Sequence, residues 1–364
     1  MSQQMRRNIG RLVVAGFAGT SIPVELRALA RDADLGGIIL FARNVEAPEQ
    51  VAELACAAGA LSGASPPWVS IDQEGGRVAR LRAPFTRWPA MRALGNSRDE
   101  ALAARFARAL ARELRAVGVT LDYAPVLDVD TNPDSPVIGD RALSGDPEQT
   151  ARLGAAVIEG LQAGGVAACG KHYPGHGDAA ADSHVDLPVV AHTPDRLRNV
   201  ELEPFRAAAA GGVAAIMTAH VLYPELDEQN PATLSPRIVG QLRDDLGFDG
   251  LVLSDDLEMG AITRHFAVED AAVRAIAAGC DMVLLCGADT DRQAAAIEAL
   301  IHAVEDGRLP RARVDQALAR QERVKVRFLA GVRDWRPPRP TELRAVLGGQ
   351  EHAAIASEME GYLA

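Results

Sequence analysis

The sequence lacks the features that mark membrane, redox and nucleic-acid-binding proteins. No apolar run approaches the roughly 18 residues of a membrane span. The four cysteines form no CxxC pair, which favours buried free thiols in a reducing compartment. Basic residues are in deficit, with 38 Lys+Arg against 49 Asp+Glu and a net charge of −11, so no nucleic-acid partner is expected. Because 48% of the 364 residues are apolar, disorder is excluded. We expect a folded cytoplasmic protein, a monomer, with no membrane partner.

The N-terminal segment has only a superficial likeness to a signal peptide. Arginines precede an apolar run at 12–19, but that run is short and follows the polar Asn8 and Arg11. No small-x-small cleavage site stands before Ser21. We interpret the run as a first buried strand.

Short apolar runs alternate with longer stretches of helical period, such as 99–116, 147–163, 196–210, 235–246, 267–279 and 290–306. Helix starts are predicted at Thr193-Pro194 and Ser235-Pro236, where a capping residue precedes a proline. The apolar runs lie at 12–19, 36–42, 68–72, 119–126, 165–172, 214–221, 250–256 and 281–288. Strands that are apolar on both faces and separated by helices indicate a parallel sheet covered by helices. Eight of them favour an α/β fold of the (β/α)8 TIM-barrel type. The absence of G-x-G-x-x-G after the first run disfavours a dinucleotide-binding sheet.

The pattern changes near the C-terminus. Residues 335–340, Trp-Arg-Pro-Pro-Arg-Pro, predict a stiff connector, and one helix is expected from about residue 341. We therefore predict a catalytic barrel over 1–334 and a Pro-rich connector with a C-terminal helix over 335–364.

Polar residues cluster where the predicted strands end. The third strand ends in IDQEGGR (71–77), the fourth near Asp128 and Asp130, the fifth in Lys171-His172, the sixth at His220, and the seventh in Ser254-Asp255-Asp256. In such a barrel the carboxyl ends of the strands carry the chemistry. Five polar ends on one rim predict an active site.

The densest cluster is KHYPGHGDAAADSH, from Lys171 to His184. Its proline and glycines exclude a helix, so it is predicted to be a loop over the fifth strand. Three interpretations compete: His172, His176 and His184 as metal ligands, Lys171 as a Schiff base, or proton-transfer groups over a sugar or acyl site. The metal interpretation is disfavoured because the first strand ends in Gly-Phe-Ala-Gly (16–19), without a His-x-His pair.

The remaining chemistry pairs a strand-end carboxylate with a proton-transfer group on a loop. This is the arrangement of retaining glycoside cleavage, in which one carboxylate attacks the anomeric carbon while a second group protonates the leaving oxygen. Asp255 and Asp256 are adjacent, so on a strand their side chains point to opposite sides. One of them is expected to accept hydrogen bonds from loop amides or an arginine.

These motifs resemble glycoside hydrolase family 3, specifically its bacterial β-N-acetylglucosaminidase branch. KHYPGHGDAAADSH is similar to that branch's KHFPGHGDTxxDSH signature, and SDDLEM (254–259) to its SDDLSM segment. GGIILFARN (36–44) and IDQEGGRVARL (71–81) match its early strands. Tyr173 stands for the usual Phe and Ala179 for the usual Thr. The similarity covers residues 10–330.

The resemblance implies roles for particular residues. Asp255 would be the nucleophile, and His184 the acid/base, oriented by Asp182. Five further residues match the family's sugar-binding positions: Asp72, Arg80, Arg141, Lys171 and His172. His176 and Asp178 are expected to brace the loop, and His220 is a candidate for supporting the site.

The resemblance also implies an activity. The protein would be an exo-β-N-acetylglucosaminidase that removes terminal GlcNAc from 1,6-anhydro-muropeptides (GlcNAc-anhydroMurNAc peptides) in peptidoglycan recycling, with no metal and no organic cofactor. Two alternatives stay open, a metal-dependent amidohydrolase on the same barrel and a sugar-binding barrel without turnover. Water and phosphate are both open as the second nucleophile.

Overall fold

A computed structural model describes residues 2–63, 65–133 and 135–363 and shows parallel strands closed into a barrel in the order β1 to β8. The strands are β1 Val13–Ala15, β2 Gly37–Leu40, β3 Trp68–Ile71, β4 Leu121–Asp122, β5 Ala167–Tyr173, β6 Ala215–Thr218, β7 Leu251–Asp256 and β8 Met282–Leu285. Each coincides with one of the predicted apolar runs, with β5 extending one residue beyond its run, which confirms the (β/α)8 fold.

Helices surround this barrel and continue beyond it. They are α1 Gln3–Gly10, α2 Val24–Ala33, α3 Pro48–Gly59, α4 Arg92–Ser97, α5 Glu100–Ala116, α6 Pro147–Ala163, α7 Pro194–Asn199, α8 Glu203–Ala210, α9 Pro236–Asp244, α10 Gly260–Thr263, α11 Val268–Ala278, α12 Thr290–Glu305, α13 Arg311–Phe328, α14 Pro340–Val346 and α15 Gln350–Glu360. Several begin at a side-chain cap read from the sequence: Ser235 accepts from the Ile238 N–H, and Thr193 from the Arg196 N–H. Such caps satisfy amides that the first helical turn leaves unpaired.

The barrel interior is a packed apolar core. Side chains from all eight strands contribute to it, including Val14, Ile39, Trp68 and Leu121. At the end where the strands begin, Phe328 at the end of α13 and the following Leu329 join this cluster. The mouth of the barrel at the amino ends of the strands, which we call the lower end, is therefore closed by protein. The mouth at the carboxyl ends of the strands is left for a ligand.

Three local features differ from the sequence expectations. Residues before the first strand form α1, whereas only a strand was expected there. The predicted helix over 196–210 is two helices, α7 and α8. The tail holds two helices instead of one, because Gly348, at φ +61, separates α14 from α15. The division into barrel and tail domains stays a prediction.

The C-terminal tail is tied to the barrel by a buried carboxylate. Glu113 on α5 is 1% exposed and accepts from the Gly348 N–H at 2.8 Å. Its Oε1 also lies 2.9 Å from Nδ1 of His352 on α15. Among the described residues, no helix combines the length and apolarity needed to cross a bilayer.

Candidate active site

The side chains predicted to form a site share one cavity at the carboxyl ends of the strands. The cavity has a volume of about 480 Å³. The predicted residues that line it are Asp72, Arg80, Arg141, Lys171, His172, Asp182, His184 and Asp255. The barrel brings them together because parallel strands all end at one rim.

Five charged side chains form a continuous row along this cavity, which we call the ionic wall. Arg141 donates from Nε and one terminal nitrogen to the two oxygens of Glu74, at 2.9 and 2.8 Å. Glu74 Oε1 lies 2.7 Å from Lys171 Nζ. Lys171 in turn donates to Asp72 Oδ1 at 2.8 Å, and Asp72 Oδ2 lies 3.4 Å from Arg80. The row alternates in sign, so its members hold each other in place.

Members of the ionic wall shift one another's pKa, which keeps Glu74 ionised and Lys171 protonated. Burial alone would raise the pKa of Glu74, but the Lys171 and Arg141 cations outweigh it and hold the pKa well below its usual range. Burial would lower the pKa of Lys171, but the charges of Asp72 and Glu74 raise it. A lysine kept protonated is a hydrogen-bond donor and a poor amine nucleophile, which disfavours the Schiff-base interpretation.

His172 is oriented by a fully buried carboxylate. Its Nδ1 lies 2.7 Å from Asp128 Oδ2. Asp128 Oδ1 accepts from the backbone N–H groups of His172 and His176, at 3.2 and 2.6 Å. Burial would raise the pKa of Asp128, but the neighbouring His172 lowers it. This contact leaves Nε2 of His172 as the ring nitrogen available to a ligand.

The two adjacent aspartates at the end of β7 have opposite environments. Burial would raise the pKa of Asp255, but the nearby His220 and His172 lower it, so this carboxylate is ionised at neutral pH. Burial raises the pKa of Asp256 to about 7. Asp256 Oδ1 accepts from the N–H groups of Glu258 and Cys286, both at 3.1 Å. This confirms the expectation that one aspartate of the pair serves loop amides.

His184 and Asp182 lie on the loop after β5 and touch each other. His184 Nδ1 is 2.8 Å from Asp182 Oδ1, which also accepts from the His184 backbone N–H at 2.8 Å. Burial would raise the pKa of Asp182, but these hydrogen bonds lower it. The His184 side chain is 66% exposed. The contact fixes the ring orientation and leaves Nε2 to exchange a proton.

The loop is anchored to the segment that follows Asp255. The Gly260 N–H donates to the His184 carbonyl at 3.2 Å, and the Ala261 N–H to the Ser183 carbonyl at 3.0 Å. A Cβ at Gly260 would lie 2.6 Å from the His184 carbonyl oxygen. Only glycine permits this close approach of two backbones.

The other loop residues have the bracing contacts expected of them. His176 Nε2 lies 3.1 Å from Ser183 Oγ, and Asp178 accepts from Thr131 Oγ1 at 3.1 Å. His220 is fully buried beneath the nucleophile candidate, with Nε2 2.9 Å from the Asp256 carbonyl oxygen. In the described part of the chain, no three His, Cys, Asp or Glu side chains are arranged to hold a metal ion.

The sequence interpretation gave no role to Glu74 or Asp128. Both are almost fully buried, and both orient predicted ligand-binding residues. Glu74 stands two residues after Asp72, which is a spacing that places two side chains on the same face of an extended segment. That signal was available, whereas the pairing of Asp128 with His172 depends on tertiary structure.

Comparison with known proteins agrees with this geometry. Residues 4–324 match the model of the glycosyl hydrolase family 3 N-terminal domain. A Pseudomonas aeruginosa beta-hexosaminidase is 48% identical over 275 residues, covering 74% of this chain and 80% of the relative. A Thiobacillus denitrificans beta-hexosaminidase is 47% identical over 277 residues, covering 74% and 76%.

Solved structures show the same likeness. A family 3 beta-N-acetylglucosaminidase from Paenibacillus sp. superimposes with a TM-score of 0.91 at 40% identity, covering 98% of this chain and 68% of that one. NagZ from Neisseria gonorrhoeae, in complex with N-trifluoroacetyl-D-glucosamine, has a TM-score of 0.77 at 34% identity, covering 97% and 98%. With a family match over most of its length and these relatives, the chain belongs to glycosyl hydrolase family 3 and is a glycoside hydrolase.

Proposed function

We propose that the protein is a retaining exo-β-N-acetylglucosaminidase that removes terminal GlcNAc from 1,6-anhydro-muropeptides during peptidoglycan recycling in the cytoplasm. One observation carries the proposal: an ionised strand-end carboxylate, Asp255, and a carboxylate-oriented histidine, His184, line the same cavity. The beta-hexosaminidase and beta-N-acetylglucosaminidase relatives support the sugar specificity.

The first step forms a covalent intermediate. A carboxylate oxygen of Asp255 attacks the anomeric carbon while the bond from that carbon to the leaving oxygen breaks. His184, protonated on Nε2, donates its proton to the leaving oxygen, so that the aglycone departs as a neutral alcohol. Asp182 stabilises the ring from its Nδ1 side. The products of this step are a glycosyl ester on Asp255 and a neutral His184.

The second step releases the sugar. His184 Nε2 takes a proton from water as the water oxygen attacks the anomeric carbon, and the ester bond to Asp255 breaks. The carboxylate and the protonated histidine are both regenerated. Two inversions at the same carbon retain its configuration.

The ionic wall supplies groups that suit a sugar. Asp72 can accept from two adjacent hydroxyls, and Arg80, Arg141, Lys171 and His172 supply charged or directional donors. Arg43 and Arg77 also line the cavity. Their positive charge supports an aglycone that carries carboxylates, as a muropeptide does.

Mass spectrometry after incubation with an activated 5-fluoro glycoside of GlcNAc, which slows turnover and keeps the 2-acetamido group, tests the proposal directly. The expected result is one covalent sugar on the peptide that contains Asp255, with no label on the Asp255→Ala variant. Label on Asp256, or unlabelled protein that still turns over substrate, would contradict the assignment.

Product analysis tests the substrate and separates the alternatives. The purified protein is expected to release GlcNAc from a GlcNAc-anhydroMurNAc peptide, with and without phosphate in the buffer. Formation of GlcNAc 1-phosphate would change the reaction to phosphorolysis. Binding without turnover would favour the sugar-binding alternative, and activity that is lost with chelators and restored by a divalent metal would favour the amidohydrolase.

A further inference from the structure

A second cavity lies on the opposite side of the barrel, away from the catalytic mouth. It has a volume of about 380 Å³ and is formed where the C-terminal ends of α3 and α5 meet the segment after α13. Its polar lining consists of Ser62, Arg115, Arg333 and Arg336, together with Cys56 and the half-buried Trp335. This size falls within the range of small-molecule sites.

The lining of this cavity is rich in arginine. Three arginines line the cavity, and no aspartate or glutamate is among the described residues around it. This contrasts with the chain as a whole, whose net charge is −11. Local positive charge in an acidic protein favours an anionic ligand.

Arg115 is the most informative of the three arginines. No described residue lies within hydrogen-bond or ion-pair distance of its guanidinium, although the side chain is partly buried. Burial lowers the pKa of Arg115, and no carboxylate offsets that effect. A guanidinium offers five N–H donors in a fork that fits phosphate or carboxylate oxygens.

Ser62 provides an independent observation. Its residue is 8% exposed, and its buried Oγ has no hydrogen-bond partner among the described residues. Buried hydroxyls are nearly always paired, so a missing partner points to a ligand or water in the cavity. A phosphate oxygen would satisfy the hydroxyl, because Ser donates readily to such an acceptor.

Trp335 gives the cavity a flat apolar wall. Gly118, at φ +80, lies against the indole so closely that a Cβ there would be 2.7 Å from its Cη2 atom. This contact holds the ring in one position. Arg336, one residue later, donates from one terminal nitrogen to the Arg333 and Trp335 carbonyls, both at 2.9 Å, which fixes its position near the ring.

We propose that this cavity binds a phosphate monoester that carries a flat ring, with the phosphate at Arg115 and Ser62 and the ring against Trp335. Nucleoside monophosphates have this chemistry. The site is separate from the catalytic cavity, because none of its lining residues is shared with it.

Isothermal titration calorimetry with uridine monophosphate tests the proposal, with uridine and inorganic phosphate as separate titrants. The full-length protein is expected to bind uridine monophosphate, to bind phosphate more weakly and not to bind uridine measurably. Arg115→Gln should weaken uridine monophosphate binding about tenfold or more, since it removes a charged hydrogen-bond donor. Trp335→Leu should weaken uridine monophosphate binding but leave phosphate binding unchanged.

Arg112→Gln is the matched control. Arg112 lies on the same helix, is 57% exposed, pairs with Glu351 and does not line the cavity. The Arg112→Gln variant should bind uridine monophosphate with the same affinity as the unmodified chain. Arg115→Gln should keep its melting temperature, because no described partner is lost. The proposal is overturned if the protein does not bind uridine monophosphate at millimolar concentration, if Arg115→Gln binds it as tightly as the control, or if uridine binds equally well.

Discussion

The two ends of the barrel each contain a buried cluster of charges, but the clusters differ in how completely they are paired. At the lower end, Asp281 is fully buried before β8. Its Oδ1 accepts from Arg313 and Arg320 at 2.8 and 3.2 Å, and its Oδ2 accepts from Arg243 at 2.7 Å and from the Val252 N–H at 3.0 Å. Asp281 lines neither the catalytic cavity nor the second cavity.

At the catalytic end, the ionic wall is paired internally but faces a cavity. Asp72 and Arg80 are 16% and 26% exposed, in contrast to the fully buried Asp281. Their remaining lone pairs and N–H groups are available to sugar hydroxyls. We infer from this difference that the saturated cluster at Asp281 serves the fold, whereas the partly saturated ionic wall has groups left over for a ligand. Substitutions at the two ends should therefore have different consequences.

The largest effect is expected at Asp255. Asp255→Ala removes the proposed nucleophile, so turnover should fall by about 10⁴-fold or more. The melting temperature should stay close to that of the unmodified chain, because among the described residues the carboxylate accepts a hydrogen bond only from the neighbouring Asp256 N–H. Steady-state kinetics and thermal unfolding of the same preparation check both parts. Comparable loss in an Asp256→Ala variant, with the fold preserved, would contradict the distinction between the two aspartates.

His184→Ala should reveal the acid/base role through the leaving group. General acid catalysis contributes about 10²–10⁴-fold, so a disaccharide or muropeptide should lose that much. An aryl glycoside should lose far less in its first step, because a nitrophenolate needs little protonation. Its turnover should begin with a burst, because hydrolysis of the intermediate also lacks its base. Stopped-flow measurement on both substrates checks this.

Two neighbouring variants serve as controls for His184. Asp182→Ala should show the same bias more weakly, because Asp182 only orients the ring. His176→Ala, which loses the contact with Ser183, should show a uniform loss or reduced stability. Equal losses of His184→Ala on both substrates would move the acid/base role elsewhere in the loop.

At the lower end, Asp281→Ala should damage stability and leave catalysis intact in the molecules that fold. It leaves three arginines without their shared partner, and breaking a buried ion pair typically costs about 3–5 kcal/mol. Urea unfolding measures the loss, and active-site-titrated kcat measures the chemistry. A normal unfolding midpoint would show that the cluster adds nothing to stability.

Asp72→Ala should weaken sugar binding by about 2–3 kcal/mol, because it leaves Arg80 and the sugar hydroxyls without their acceptor and leaves Lys171 paired with Glu74 alone. The same loss should appear with any aglycone. The inhibition constant of a GlcNAc-like competitive inhibitor measures it, and an unchanged constant would contradict the placement of the sugar on the ionic wall.

The smallest effect concerns Lys325, a buried cation at the lower end whose Nζ has no described hydrogen-bond partner. Burial lowers the pKa of Lys325 to about 7 from its usual 10.5. Between these values the unfolded chain binds the proton and the folded chain does not, so this lysine makes stability rise with pH across that window. Below pH 7 Lys325 is protonated in both the folded and the unfolded chain, so its destabilising effect no longer changes with pH.

Lys325→Met should remove that dependence. From pH 7 to pH 8, the free energy of unfolding of the unmodified chain should rise by about 1 kcal/mol relative to that of the variant. At pH 6 the variant should be the more stable protein. Urea unfolding at several pH values checks this. A difference between the two proteins that is constant from pH 6 to pH 9 would show that Lys325 does not titrate there.

The sequence was sufficient to predict the strands, because each is buried on both faces and appears as a short apolar run. The sequence predicted no helix over the residues that form α1 and α13. α1 is short and mostly polar. α13 is highly charged and is buried mainly through residues such as Val314, Ala317 and Phe328, which form too sparse an apolar pattern to stand out. Packing against the barrel, not local sequence, selects these helices.

The site could be predicted to a similar extent. The motifs located eight of the residues that line the cavity, but Glu74 and Asp128, which orient several of them, were missed. The pairing of Asp128 with His172 joins residues 44 positions apart, and that of Glu74 with Arg141 joins residues 67 apart. Such pairings depend on how the strand ends converge, which no local pattern encodes. The saturation that distinguishes Asp281 from Asp72 is likewise visible only in three dimensions.

The close approach at Gly260 has a consequence for protein engineering. The loop that carries His184 and the turn that follows Asp255 share backbone hydrogen bonds and leave no room for a side chain between them. The loop is therefore not an interchangeable module. Transplanting it into another barrel would require transplanting the turn with its glycine, and a screen that varies one segment alone would sample mainly mismatched pairs.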